Sequence, residues 1–168
     1  MTTLYTASVP VFTQMLSALS DVLNKAEAHA TDKKIDPNVL LQSRLFPDMF
    51  PLIRQVQIAT DFAKSVPSRL AGIEVPAYDD SEQSFAELQT RIKNTLTVLE
   101  GFTPAQIDGN ETLEIVLRAG TPKEKKLNGE TYLLNYGLPQ FFFHVTTAYT
   151  ILRNNGVEVG KRDFMGAY

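Results

Sequence analysis

The side chain with the clearest capacity for chemistry is His144, one of two histidines, in the stretch PQFFFHVTTAYTILRNNG. Imidazole titrates near neutral pH and is the commonest neutral metal ligand, so His144 can serve as a metal ligand or a general base. Metal sites need three or four converging donors, and the other histidine, His29, has no helical HxxxH or ExxH partner. A hydrogen-bonded structural histidine is therefore the alternative interpretation.

Two polar residues of an earlier helical segment are further candidates. Asp61 lies near the inward stripe of that segment, and Gln57 lies one turn before it. Together with His144 they can line one site, although flanking positions of this kind are more often solvated. The sequence has no cysteine and no GxSxG elbow, so a thiolate nucleophile is excluded and serine hydrolysis has little support.

Apolar residues at steps of three and four predict the long helices that must position these side chains. The first begins at Val9, and the second runs from near Pro51 to Arg69. The third is expected from Ser81 to about Glu100, with Asp80 as its N-terminal cap. Four helices with one apolar stripe each bury that stripe most simply in a bundle.

The pattern changes between residues 112 and 127, where short segments flank the turn signal AGTP and predict a two-stranded hairpin. Asn128 can cap a fourth helix that starts near Glu130. Pro139 is expected to kink this helix, and the Asn-Asn-Gly sequence at residues 154–156 to end it.

On a helical wheel the fourth helix has one core-facing stripe. His144 falls at the flank of this stripe, at the edge of the core or the mouth of a pocket. Phe143 falls on the opposite side, where the hairpin, the C-terminal tail or another subunit must cover it. The stripe itself consists of Phe141, Val145, Ala148, Tyr149 and Leu152.

The composition indicates an ordinary globular protein of one domain over its 168 residues. A net charge of -3 provides no positive field for nucleic acid, so no nucleic-acid partner is expected. The first 25 residues resemble neither a signal peptide nor a membrane span, so no membrane association is expected. Together with the lack of cysteine, this favours a cytoplasmic location.

The runs FPDMFPLIRQVQIATDFA and GLPQFFFHVTTAYTILRNNGVEVGKRDFMG, with the hairpin between them, resemble an uncharacterised branch of the DinB/YfiT-like superfamily, a domain of unknown function. The resemblance covers nearly the whole chain. It implies an all-α, DinB-like four-helix bundle with a small β-hairpin inserted between helices 3 and 4. Better-known members carry a divalent metal on three histidines, and some are metal-dependent thiol transferases or isomerases.

Under this resemblance His144 corresponds to the first histidine of an HxxxH pair on the fourth helix. The second position is Ala148, which cannot bind a metal, and the second-helix ligand falls near Gln57, whose amide is a poor ligand for zinc or nickel. The resemblance therefore implies a degenerate metal site.

Three functions follow as expectations. The first is binding of a small molecule in the bundle cleft, without a metal cofactor, in a pocket formed by His144, Gln57, Asp61 and Tyr149. The second is a transferase or hydrolase that holds a divalent metal, zinc or nickel, on an incomplete ligand set with His144. The third is a structural homodimer that associates through exposed aromatic residues such as Phe143.

Overall fold

The computed structural model of the protein describes residues 2–168. In chain order its elements are α1 (Val9–Lys33), α2 (Pro37–Leu41), α3 (Leu52–Leu70), α4 (Phe85–Glu100), α5 (Pro104–Ile107), β1 (Glu114–Leu117), β2 (Lys125–Asn128), α6 (Gly129–Thr131), a π-helical segment (Tyr132–Gly137), α7 (Leu138–Asn154) and α8 (Lys161–Met165).

The four long helices α1, α3, α4 and α7 form a closed bundle. Around the bundle α1 packs on α4, α4 on α3, α3 on α7, and α7 on α1. Of the helices that follow one another in the chain, α3 and α4 are neighbours, whereas α1 and α3, and α4 and α7, lie on the diagonals of the bundle. The predicted bundle is confirmed, with the small hairpin between its third and fourth long helices.

The core is built from the predicted apolar stripes. Phe12 of α1 meets Phe141 of α7 edge to face, with ring centroids 4.8 Å apart, and both side chains are fully buried. Burial of a phenylalanine contributes roughly 2–3 kcal/mol, so such contacts fix the helix faces that point inward. Among residues 2–168 no helix is long and apolar enough to cross a membrane.

The third long helix starts later than predicted. It begins at Phe85, and Ser84 caps it by accepting a hydrogen bond from the Glu87 amide at 3.2 Å. The prediction of Asp80 as the cap is wrong, because its carboxylate is bound by the guanidinium groups of Arg54 and Arg91. Residues 71–84, which we call the strap, thus run from α3 to α4 without a helical turn of their own.

The start of the fourth helix agrees with the sequence, whereas its course differs. Asn128 caps it as predicted, accepting from the Thr131 amide at 2.8 Å. At the expected kink the helix changes type, because the π-helical segment ends at Gly137 and Pro139 is the second residue of α7.

The predicted hairpin is confirmed. Strand β1 pairs antiparallel with β2, and Ile115 faces Leu127. Directly after β1, Arg118 has a φ of 52°, in the left-handed region that few residues other than glycine adopt. This turn brings the hairpin beside α3 and the strap.

Candidate functional site

The imidazole of His144 is buried between α7 and α3. His144 is only 7% exposed, and the Nδ1 atom of its ring lies 2.7 Å from Oε1 of Gln55. The Gln55 amide nitrogen donates to the Phe50 carbonyl at 3.0 Å, which fixes the amide orientation and places its oxygen towards His144. Nδ1 of His144 must therefore carry the proton and donate it.

This environment keeps His144 neutral. Burial, together with the positive charge of Arg54, lowers the pKa of His144 from 6.5 to about 4. At neutral pH the ring is an uncharged donor to Gln55, as expected of a structural histidine.

Gln57 lies in a different environment from His144. Its amide nitrogen donates to Glu82 at 2.8 Å, and its oxygen accepts from Arg54 at 3.1 Å. These contacts connect α3 to the strap.

Asp61 belongs to an ion cluster around Arg91 of α4, a residue only 3% exposed. One Asp61 oxygen accepts from Arg91 at 2.8 Å and from Lys64 at 2.8 Å. The Arg91 guanidinium also donates to Thr60 at 2.7 Å and to Glu82 at 3.0 Å. Since each donor meets an oxygen, the buried charge is compensated, and the cluster fixes the strap to α3 and α4.

Tyr149 lies at a third location. Its hydroxyl donates weakly to the Val159 carbonyl at 3.5 Å, and its ring meets Phe164 of α8 edge to face. The four residues predicted to form one pocket therefore lie in three environments. On α3 it is Gln55, rather than Gln57, that has the helical phase facing His144.

A cleft of about 450 Å³ lies between α3, the strap, the hairpin and the π-helical segment. We call it the strap cleft. Its aromatic and apolar walls are Phe62, Val75, Tyr78, Leu117 and Tyr136, and its polar lining includes Asp61, Lys64, Ser65, Arg69 and Arg118. Of the four predicted residues only Asp61 is part of this lining.

His144 lies one aromatic ring behind the strap cleft. Its imidazole stacks on Phe62 with centroids 6.2 Å apart, and Phe62 meets Tyr136 edge to face at 5.9 Å. Because Phe62 and Tyr136 both line the cleft, the hydrogen bond between His144 and Gln55 supports one of its walls.

Tyr78 of the strap lies against two cations. The Lys64 ammonium is 4.5 Å from the centroid of its ring, and the Arg91 guanidinium carbon is 5.1 Å from it. Its hydroxyl oxygen is buried and has no hydrogen-bond partner among residues 2–168. Tyr78 also lines a second, adjoining cleft of about 370 Å³ that contains Glu82 and Glu87.

The residues around His144 do not fit a metal ion. With Nδ1 donating to Gln55, His144 could offer only Nε2 as a ligand, and Ala148, one turn later, has no donor atom. Within the described chain no group of three or more histidine, aspartate or glutamate side chains is arranged to hold a metal. The remaining amide and single imidazole are a poor set for zinc or nickel.

Sequence reasoning missed most of the strap cleft. Arg91, beside this cleft, could have been recognised from the sequence as a buried charge. It stands within the apolar stripe of α4, three residues after Leu88 and four before Thr95. No sequence pattern marked Arg69, Tyr78 and Arg118, because they come together only through the folding of the strap and the hairpin against α3.

Phe143 remains uncovered within this chain. It is 55% exposed, so among residues 2–168 neither the hairpin nor the C-terminal tail buries it, and cover by another subunit, the third alternative, stays a prediction. Phe46 and Phe50, in the connection before α3, are also exposed.

Three comparisons place these observations among known proteins. The family model described as "Domain of unknown function (DUF1993)" matches residues 4–165. The crystal structure of a DinB family member protein from Shewanella denitrificans has a TM-score of 0.92 and 48% sequence identity, over 98% of this chain and 93% of that one. A comparison with curated proteins found no match.

Proposed function

The chain belongs to the DUF1993 family and is DinB-like, and from this premise we propose that it is a small-molecule-binding protein whose site is the strap cleft. The cleft has the size of a small-molecule site, and its lining combines aromatic and apolar side chains with a similar share of polar and charged ones. It lies one aromatic ring away from His144, and His144 itself is not part of its lining.

The observation that carries the proposal is the buried hydroxyl of Tyr78. Buried polar atoms in folded proteins almost always have a hydrogen-bond partner, and an unpaired one costs about 1–3 kcal/mol. This hydroxyl has none among residues 2–168, and its residue lines the strap cleft. The oxygen itself is not exposed to the cleft, so a ligand would reach it through a small shift of the Tyr78 side chain, and a ligand that supplies the partner would recover that cost.

His144 has a supporting role in this proposal. It orders Phe62 through the stack and is itself held by Gln55. No step of the proposed function requires a metal ion, since the donor set around His144 does not fit one.

A ligand screen with a blocked cleft tests the proposal. Ala77 lines the strap cleft and is exposed, so Ala77→Trp should fill the cleft without disturbing the core. The matched control is Ala28→Trp, an exposed alanine on α1 that lines a separate cleft with Lys25 and His29. Thermal shifts are measured with a library of neutral, cationic and anionic compounds.

We expect compounds that stabilise the wild type and the Ala28→Trp variant but not the Ala77→Trp variant. If every stabilising compound acts equally on all three proteins, the strap cleft is not the site.

A further inference from the structure

We infer that the ligand of the strap cleft is an organic anion, with a carboxylate or phosphate group on an aromatic or branched apolar body. This inference rests on the proposed function and names the class of ligand. It is carried by the charge balance of the cleft, by two arginines and by the aromatic walls.

The charge of the strap cleft is opposite to that of the whole chain. Three cations line it, Lys64, Arg69 and Arg118, against one carboxylate, Asp61. Asp61 is already shared between Lys64 and the buried Arg91. The cleft thus has uncompensated positive charge in a protein whose net charge is -3, and a local field of this kind attracts anions.

Arg69 is the best-placed anion ligand. One guanidinium nitrogen donates to the hydroxyl of Tyr132 at 3.2 Å, and no carboxylate among residues 2–168 lies within ion-pair distance of it. Burial raises the pKa of Tyr132, so this partner is an uncharged phenol at neutral pH. The contact orients Arg69 without neutralising it, and most of its five N–H donors are left for a ligand.

Arg118 supplies a second guanidinium at the rim. It follows β1 in the left-handed conformation, is exposed, and pairs with no carboxylate in the part of the chain that the structure describes. Arginine binds carboxylate and phosphate through parallel N–H donors, so two arginines that line one cleft suit an anionic group there. Arg69 lies on α3 and Arg118 on the hairpin, which gives that arrangement.

The aromatic and apolar walls of the strap cleft indicate the kind of body that carries the anionic group. Phe62 and Tyr136 present aromatic surface, and Val75 and Leu117 close the cleft from the strap and the hairpin. An apolar body buried here gains roughly 25 cal/mol per Å², which adds to the contact of the anion with the arginines. The Tyr78 hydroxyl can donate to the same anionic group.

The test uses probes that share a phenyl ring on a three-carbon chain and differ in the head group. 3-Phenylpropanoate and 3-phenylpropyl phosphate are the anions, 3-phenylpropanamide is the neutral analogue, and 3-phenylpropan-1-amine is the cation. Dissociation constants come from NMR titration at low salt, with the wild-type protein and with variants at Arg69 and Arg118.

We expect at least one anion to bind wild type about tenfold or more tightly than the amide, because a charge-assisted contact is lost in the amide. Arg69→Gln should remove that preference and Arg69→Lys should keep part of it. If Arg69→Gln does not fold, Arg118→Asn remains as the test, since asparagine tolerates the left-handed conformation. Arg153→Gln, an exposed charge on α7, should have no effect.

The outcomes separate the two proposals. If the amide or the amine binds in the cleft as tightly as the anions, the ligand class is wrong while the proposed function stands. If no probe of any charge binds at about 10 mM, the proposed function fails as well. The two anions differ in their head group, so their relative affinity distinguishes a carboxylate ligand from a phosphate ester.

Discussion

The Nδ1 atom of His144 on α7 lies 2.7 Å from the Oε1 atom of Gln55 on α3, and this pair joins two of the long helices. The hydrogen bond engages Nδ1, one of the two ring nitrogens, and burial keeps the imidazole neutral. A histidine held in this way stabilises the fold only while it stays unprotonated.

The first prediction follows from the pKa of His144, which is lowered from 6.5 to about 4. Between these pH values His144 is protonated in the unfolded chain but stays neutral in the folded protein. The free energy of unfolding should therefore fall as pH falls through this window, while stability above pH 6.5 is retained. Discounted for solvent screening, the loss due to His144 is about 2 kcal/mol.

Urea unfolding at pH 7.5 and pH 4 measures this loss, with His144→Gln as the variant that cannot titrate. Acid groups elsewhere affect both proteins, so the difference between them isolates His144. Equal losses in the two proteins would contradict the assignment of His144 as a buried neutral histidine.

The second prediction concerns metal binding. The donors near His144 do not make a metal site, so protein purified without an affinity tag should contain far less than one metal ion per chain. Zinc, nickel and manganese should leave its melting temperature unchanged. Near-stoichiometric metal in elemental analysis, lost in His144→Ala, would support the metal-dependent enzyme instead.

The third prediction concerns Arg91, whose guanidinium is buried among Asp61, Glu82 and Thr60. Arg91→Gln leaves these carboxylates without their shared partner, and removal of one partner of a buried ion network costs about 3 kcal/mol. Chemical denaturation measures the loss. The control is Lys93→Gln, two residues along on the exposed face of α4, which should change the free energy of unfolding little. Similar losses of stability in both variants would show that the ion cluster around Arg91 does not hold the strap.

The fourth prediction separates stability from binding at Tyr78. Its hydroxyl has no partner among the described residues, so Tyr78→Phe should leave the free protein as stable or up to about 1 kcal/mol more stable. The same change should weaken ligand binding in the strap cleft. Tyr132→Phe is the comparison, because its hydroxyl accepts from Arg69 and its loss should destabilise the fold. Destabilisation by Tyr78→Phe would mean that the hydroxyl already has a structural partner.

Much of the fold could be predicted from the sequence because it depends on local signals. The stripe around Phe12, the cap at Asn128 and the turn after β1 each act over a few residues. Asp80 shows the limit of this reasoning. Asp80 is a good capping residue by type, but its carboxylate instead pairs with Arg54 of α3 and with Arg91, about two turns inside α4.

The site was harder to predict because it depends on how the helices rotate against each other. Gln55 and Gln57 are equivalent by composition, and they differ by about 200° around α3. Only the packing of α3 on α7 determines that Gln55 faces His144 while Gln57 faces the strap. The cleft itself joins α3, the strap and the hairpin, which no local pattern brings together.

The most direct test of the account is to map where a compound from the screen binds, by amide chemical shifts in NMR. The account predicts the largest changes at the strap cleft, around Ser65, Tyr78 and Arg118, and their loss in Ala77→Trp. Changes confined to another cleft, such as that lined by Lys25, His29 and Glu158, would contradict it.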